Sequence, residues 1–191
     1  MRRASRVLDF WFGAPGSPER GRSRACWFEK NAAFDDEIRD RFGALQADAA
    51  AGRLDAWQAR PRSALALAVL LDQFPRNMHR GTAAAFACDA RAQTVAMHAV
   101  RRRFDRALRP VERWFVYLPF EHAEDLARQR ESLRLFAGLR FEPECPGAFD
   151  YACRHFDVIA RFGRFPHRNQ VLGRVSTAEE AAYLAQPGSG F

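Results

Sequence analysis

The stretch Ala64–Leu71 is apolar at every position, and prolines stand on either side of it at Pro61 and Pro75. A helix that is apolar all round has to be enclosed by other elements. The run therefore predicts a central helix that opens at Pro61, where a first turn accepts proline, and stops near Phe74, ahead of Pro75. It is far short of the roughly 20 residues needed to cross a bilayer. The rest of the chain must supply the cover.

That cover reads as helix throughout. Phe34, Ile38, Phe42 and Leu45 recur at helical steps, with Asp35, Asp36, Arg39 and Asp40 turned away, and the helix they define ends near Gly52. Thr82 is placed to cap a helix that carries Phe86, Val95, Met97 and Val100 to about Phe104. Pro110 opens a short helix through Tyr117 that Pro119 closes, and Glu121 to Gly138 follows, with Glu124 and Arg128 spaced as a surface pair.

From Phe149 to Gly163 two apolar stripes, one with Phe149 and Phe156 and one with Tyr151 and His155, predict packing on two sides. Thr177 and Glu180 have capping-box spacing and open a last helix to Gln186. Short helices around Val7–Phe12 and Arg24–Lys30 bring the number to about eight. No alternating apolar run bounded by hairpin turns competes with this pattern, so residues 1–191 read as a single all-α domain.

Charge and cysteine usage exclude more than they suggest. The chain has 191 residues and 30 basic against 23 acidic ones, a net +7, and every basic residue but Lys30 is arginine. The arginines are dispersed rather than gathered on a face, which fits biased residue usage and solvated surface and puts nucleic-acid binding third among the functions considered. Cys26, Cys88, Cys145 and Cys153 form no Cys-x-x-Cys pair, and His122, His155 and His167 have no local ligand spacing, so neither a metal nor a cofactor is expected. The apolar stretch after the basic N-terminus is interrupted by Asp9 and ends at Gly13, too short for a secretory signal. A cytoplasmic protein without a membrane partner is the expectation; the oligomeric state is not legible.

Polar residues collect in three places. Two segments echo each other, Asp72-Gln73-Phe74-Pro75-Arg76-Asn77 and Arg164-Phe165-Pro166-His167-Arg168-Asn169, each with an aromatic-proline step followed by arginine and asparagine. Guanidinium forks and amides held by a proline-fixed turn suit carboxylate or phosphate oxygens, and they equally suit the exposed carbonyls of a helix end. The third cluster runs from Tyr117 to Asp125 and sets His122 among Glu121, Glu124 and Asp125. Carboxylates beside an imidazole can tune a proton carrier, and acids are also what a helix N-terminus prefers. His155, on an apolar face, reads as a core histidine.

These motifs resemble a bacterial family of unassigned function, the domain of unknown function 924 family. The resemblance rests on Val7-Leu8-Asp9-Phe10-Trp11-Phe12-Gly13, on Leu71 to Asn77 with Arg80-Gly81, on Glu112-Arg113, Tyr117, Pro119, Glu121-His122 and Glu124, and on Arg161 to Asn169. It implies a tetratricopeptide-repeat-like stack of antiparallel helix pairs, and it implies no reaction. Ala123 stands where a serine of the family is expected, and His79 where tyrosine is more usual. A serine nucleophile at position 123 thereby cannot be required.

The leading functional expectation is a helical binding module whose Arg76, Asn77, Arg164, His167, Arg168 and Asn169 surround an anionic small molecule or an acidic peptide end. Asp72, His122 and Glu124 orient the arginines or meet the ligand's donors. The alternative is a cofactor-free hydrolase or transferase using the same pocket, with His122 or His167 carrying the proton.

Overall fold

The computed structural model describes residues 2–190, and among these it is all-helical. Eight α-helices are α1 (Arg2–Phe12), α2 (Ala32–Ala50), α3 (Pro61–Met78), α4 (Asp89–Arg101), α5 (Pro110–Glu121), α6 (Leu126–Ala137), α7 (Ala148–Phe162) and α8 (Ala178–Leu184), joined in places by short 3-10 turns. None is long and apolar enough to cross a membrane.

α3 is the axis. Every residue from Ala64 to Pro75 is buried, and the helix packs against α1, α2, α4 and α5. Aromatic rings close the end nearest α1: the Trp11 ring lies 5.5 Å from Phe74 and 5.6 Å from Phe115. The orphan carbonyls at the end of α1 are met from the following loop, by Arg24 at Phe10 and Trp11 (both 2.7 Å) and by the Trp27 indole at Trp11 (2.9 Å).

Several boundaries differ from the sequence expectation. Pro75 does not end α3, nor Pro119 α5; both lie inside their helices. A proline removes one N–H and crowds one carbonyl, a cost of about 3 kcal/mol in a helix interior, and burial of the residues around each proline offsets it here. What stops α7 is Gly163, in the left-handed conformation at φ 70°, with Pro166 opening a 3-10 turn only afterwards. Thr82 caps no α-helix: its hydroxyl donates to the His79 carbonyl (2.8 Å), a 3-10 turn follows at Ala83–Phe86, and α4 starts at Asp89. The segment around Arg24–Lys30 holds only a 3-10 turn, Ala25–Trp27. α6 begins at Leu126, capped by Asp125 (2.8 Å to the Arg128 amide).

α7 buries a single stripe, Ala148, Ala152, His155, Val158 and Ile159, leaving Tyr151 exposed. The capping box at Thr177 and Glu180 is formed as its spacing predicts.

Candidate functional site

The polar residues buried between the C-terminal ends of α3 and α5, the start of α4 and the 3-10 turn Pro166–Arg168 form one ion-pair cluster. Its centre is Asp89, the first residue of α4. Arg76 donates through both terminal nitrogens to the two Asp89 oxygens (2.8 and 3.0 Å), and Arg168 reaches the same carboxylate from the other half of the chain (3.1 Å). The Arg168 guanidinium lies against the Phe86 and Phe165 rings, 4.5 and 4.6 Å from their centroids. Such placement favours arginine over lysine, because the flat guanidinium stacks while its edge still donates.

Asp72 supplies the second carboxylate. It is almost wholly buried, lies 3.3 Å from the Arg76 guanidinium, and accepts from His122 Nδ1 at 2.8 Å. Burial alone would raise the Asp72 carboxyl; Arg76 and His122 together outweigh it and hold the group below the usual carboxylate range. An ionised carboxylate can only accept, so the His122 proton sits on Nδ1 and its lone pair on Nε2. Burial, with Arg76 nearby, lowers the His122 pKa against the pull of Asp72.

Next to this pair lie two groups that local sequence spacing does not connect, Glu121 and His155. One donor atom each from Glu121, His122 and His155 falls within 4.8 Å of the others. His155 Nδ1 lies 2.9 Å from the Tyr151 carbonyl, which fixes its proton there, and 3.2 Å from Glu121 Oε1. Burial and the nearby Asp72 push the Glu121 carboxyl well above its ordinary range, and Oε2 is buried without a hydrogen-bond partner among the described residues. Burial also takes His155 down to about 3 and His167 to about 4, with His122 adding to the first and Arg168 to the second.

The structure brings Asp72, Arg76, His122 and Arg168 together. Other predicted site residues are engaged elsewhere. Asn77 donates to Asp35 (2.7 Å), which Arg80 also clasps (2.6 and 2.9 Å), so Asp35 is buried rather than turned to solvent and ties α2 to α3. Arg164 chelates Glu180 (2.6 and 2.8 Å), and Asn169 donates to Ser176 (3.0 Å) and Glu180 (3.3 Å), fastening α8. Glu124 accepts from Arg174 (2.6 and 2.9 Å) and from the Phe165 amide (2.7 Å), in place of the expected pair with Arg128. The His167 ring lies 5.6 Å from Phe165.

The guanidiniums of Arg76, Arg164 and Arg174 are thus paired with internal carboxylates. Arg168 is the exception in degree: burial and the neighbouring Arg76 outweigh Asp89 and bring its pKa down to about 10, and its Nε has no partner among the described residues. Two cavities of about 290 and 470 Å³ lie elsewhere, around His98 and Phe104 and around Arg22 and Cys26, and include no member of the cluster.

Fold and site together define an all-α protein with a buried arginine–carboxylate–histidine cluster at the ends of its central helices. Residues 7–188 match the family described as bacterial protein of unknown function (DUF924), and the chain belongs to it. A solved structure of a protein of unknown function from Agrobacterium tumefaciens is similar, with 42% identity and a TM-score of 0.86 over 97% of this chain and 98% of that one. No curated protein matches.

The lowered histidines set the sign of the acid response. His155 and His167 titrate at about 3 and 4 when folded, so between the ordinary histidine pKa and those values the unfolded chain binds protons that the folded one does not. Stability falls as pH drops from about 6.5 toward 4, by about 1.4 kcal/mol per pH unit for each proton involved. The lowered Asp72 and Glu124 add to the loss below their ordinary range, whereas the raised Glu121 acts oppositely, its contribution being lost as pH rises. Urea titrations at pH 7, 6, 5 and 4 are expected to show this decline, and His155→Gln to flatten it above pH 4.

Proposed function

We propose that the protein binds a small anionic group, a phosphate or carboxylate, beside Arg168, at the cluster where Asp72, Arg76 and His122 meet. The observation that carries the reading is the state of Arg168: a buried guanidinium that, among the described residues, pairs with one carboxylate, shares it with Arg76, and has a donor left over. An entering anion supplies the missing acceptor and counter-charge, and a charge-assisted hydrogen bond in a buried setting is among the strong ones. Arg76, paired on both sides, positions Asp89 and Asp72, while His167 lies beside Phe165 and next to Arg168 in the same turn. Asn77, Glu124, Arg164 and Asn169 support the site through the helix-to-helix bonds they make.

Thermal unfolding with inorganic phosphate and with succinate, in the presence of a chelator, tests this. A ligand that binds only the folded state raises stability by about 2.7 kcal/mol at a hundredfold excess over Kd, several degrees in Tm. The rise is expected in the native protein and not in Arg168→Met. No shift with either anion, or an equal shift in the variant, contradicts it.

One observation favours a second reading, a hydrolase or transferase. Asp72 holds His122 in a single tautomer at 2.8 Å, the arrangement that orients an imidazole for proton transfer at Nε2. On that reading a panel of phosphate esters, carboxylic esters and amides shows turnover that His122→Asn abolishes, with the thermal response to phosphate preserved.

A further inference from the structure

We infer that Glu121, His122 and His155 form a binding site for a divalent first-row transition metal of the zinc or cobalt kind. The site is distinct from the anion contact at Arg168, and its test does not depend on that reading.

The donors are of the right kind and in the right state. Two imidazoles and one carboxylate are the protein ligands of an open metal site, which leaves further coordination positions for water or a ligand. The Asp72 carboxylate orients His122 through Nδ1 at 2.8 Å and leaves Nε2 to ligate; His155 Nδ1 lies 2.9 Å from the Tyr151 carbonyl and 3.2 Å from Glu121 Oε1, so its ring has to turn to bring Nε2 to the ion. Hydrogen bonds of this sort at the far nitrogen of metal-bound histidines fix the tautomer and raise the basicity of Nε2.

Glu121 points to the same conclusion independently. Its side chain is 4% exposed, and Oε2 is buried without a hydrogen-bond partner among the described residues, a costly state for a carboxyl group. Coordination gives that oxygen a partner. The group also sits at the C-terminal end of α5, where the helix dipole favours a cation.

Distance and charge are compatible. Tetrahedral ligation with bonds of about 2.0–2.2 Å spaces donors roughly 3.4 Å apart, so donors now within 4.8 Å have to close by on the order of 1 Å, within reach of side-chain torsions. Asp72 and Asp89 face Arg76 and Arg168, two charges of each sign, beside a Glu121 carboxyl that burial biases toward its protonated form. A divalent ion that displaces the Glu121 proton leaves the cluster at +1 and makes it attractive to an anion. The His122 side chain is 14% exposed and offers the way in. A metal on His122 Nε2 occupies the lone pair that proton carriage would need, so a filled site and the second reading above exclude each other.

Chelator-stripped protein titrated with Co²⁺ in a non-coordinating buffer is the test. One ion per chain is expected, with visible d–d absorption, displacement by Zn²⁺ and a rise in thermal stability. Glu121→Gln and His155→Gln are each expected to weaken affinity roughly tenfold or more. Imidazole ¹H–¹⁵N spectra of the unmutated protein with Zn²⁺ guard against variants that fail to fold: the Nε2 signals of His122 and His155 shift while those of His79 and His98 stay. No uptake at millimolar metal, uptake unchanged in both variants, thiolate charge-transfer bands, or shifts confined to other histidines would each overturn the site.

Discussion

Asp89 ties the end of the central helix to the turn that follows α7. Its carboxylate takes Arg76 from the end of α3 on one side and Arg168 from the turn after α7 on the other, and both guanidiniums are largely withdrawn from water. Two buried cations facing each other across a shared anion are stable only while that anion stays charged and in place, because each has lost solvation that nothing else returns in full. The Phe86 and Phe165 rings on Arg168 add attraction at their faces and keep water from the pair.

The rest of the polar interior follows the same economy. Asp35, Glu124 and Glu180 each take a bidentate arginine plus a further amide donor, and each joins elements distant in sequence: α2 to α3, the α5–α6 corner to the segment after α7, and α8 to the end of α7. Arginine suits this use because its fork satisfies both carboxylate oxygens at once. Five arginines, Arg76, Arg80, Arg164, Arg168 and Arg174, are thereby engaged by internal carboxylates. An anion entering the cluster meets few free guanidiniums, which is why Arg168, Glu121 and the two neighbouring imidazoles carry the functional argument.

The helical class, the central place of Ala64–Leu71 and the capping box at Thr177 were legible in the sequence because each rests on local periodicity or on residues three apart. The convergence of Arg76 and Arg168 was visible as an echo between two segments. Their shared partner was not: Asp89 looks like any acid in a first helical turn. Pro75 and Pro119 misled for a related reason. A proline's local penalty is readable, whereas the burial that offsets it depends on what packs around the helix. His155 sits in a stripe with Ala152 and Val158 and reads as core, which it is by burial; its nearness to Glu121 and His122 comes from how α7 crosses the end of α5, a relation no spacing rule encodes.

The claim that Arg76 and Arg168 are coupled through one carboxylate is tested most directly by a double-mutant cycle on stability with Arg76→Met, Arg168→Met and the pair. Groups sharing a partner show interaction energies of about 0.5–3 kcal/mol, and non-additivity in that range is the predicted result. Effects that add to within about 0.5 kcal/mol would mean that the two arginines act independently, and would contradict the account.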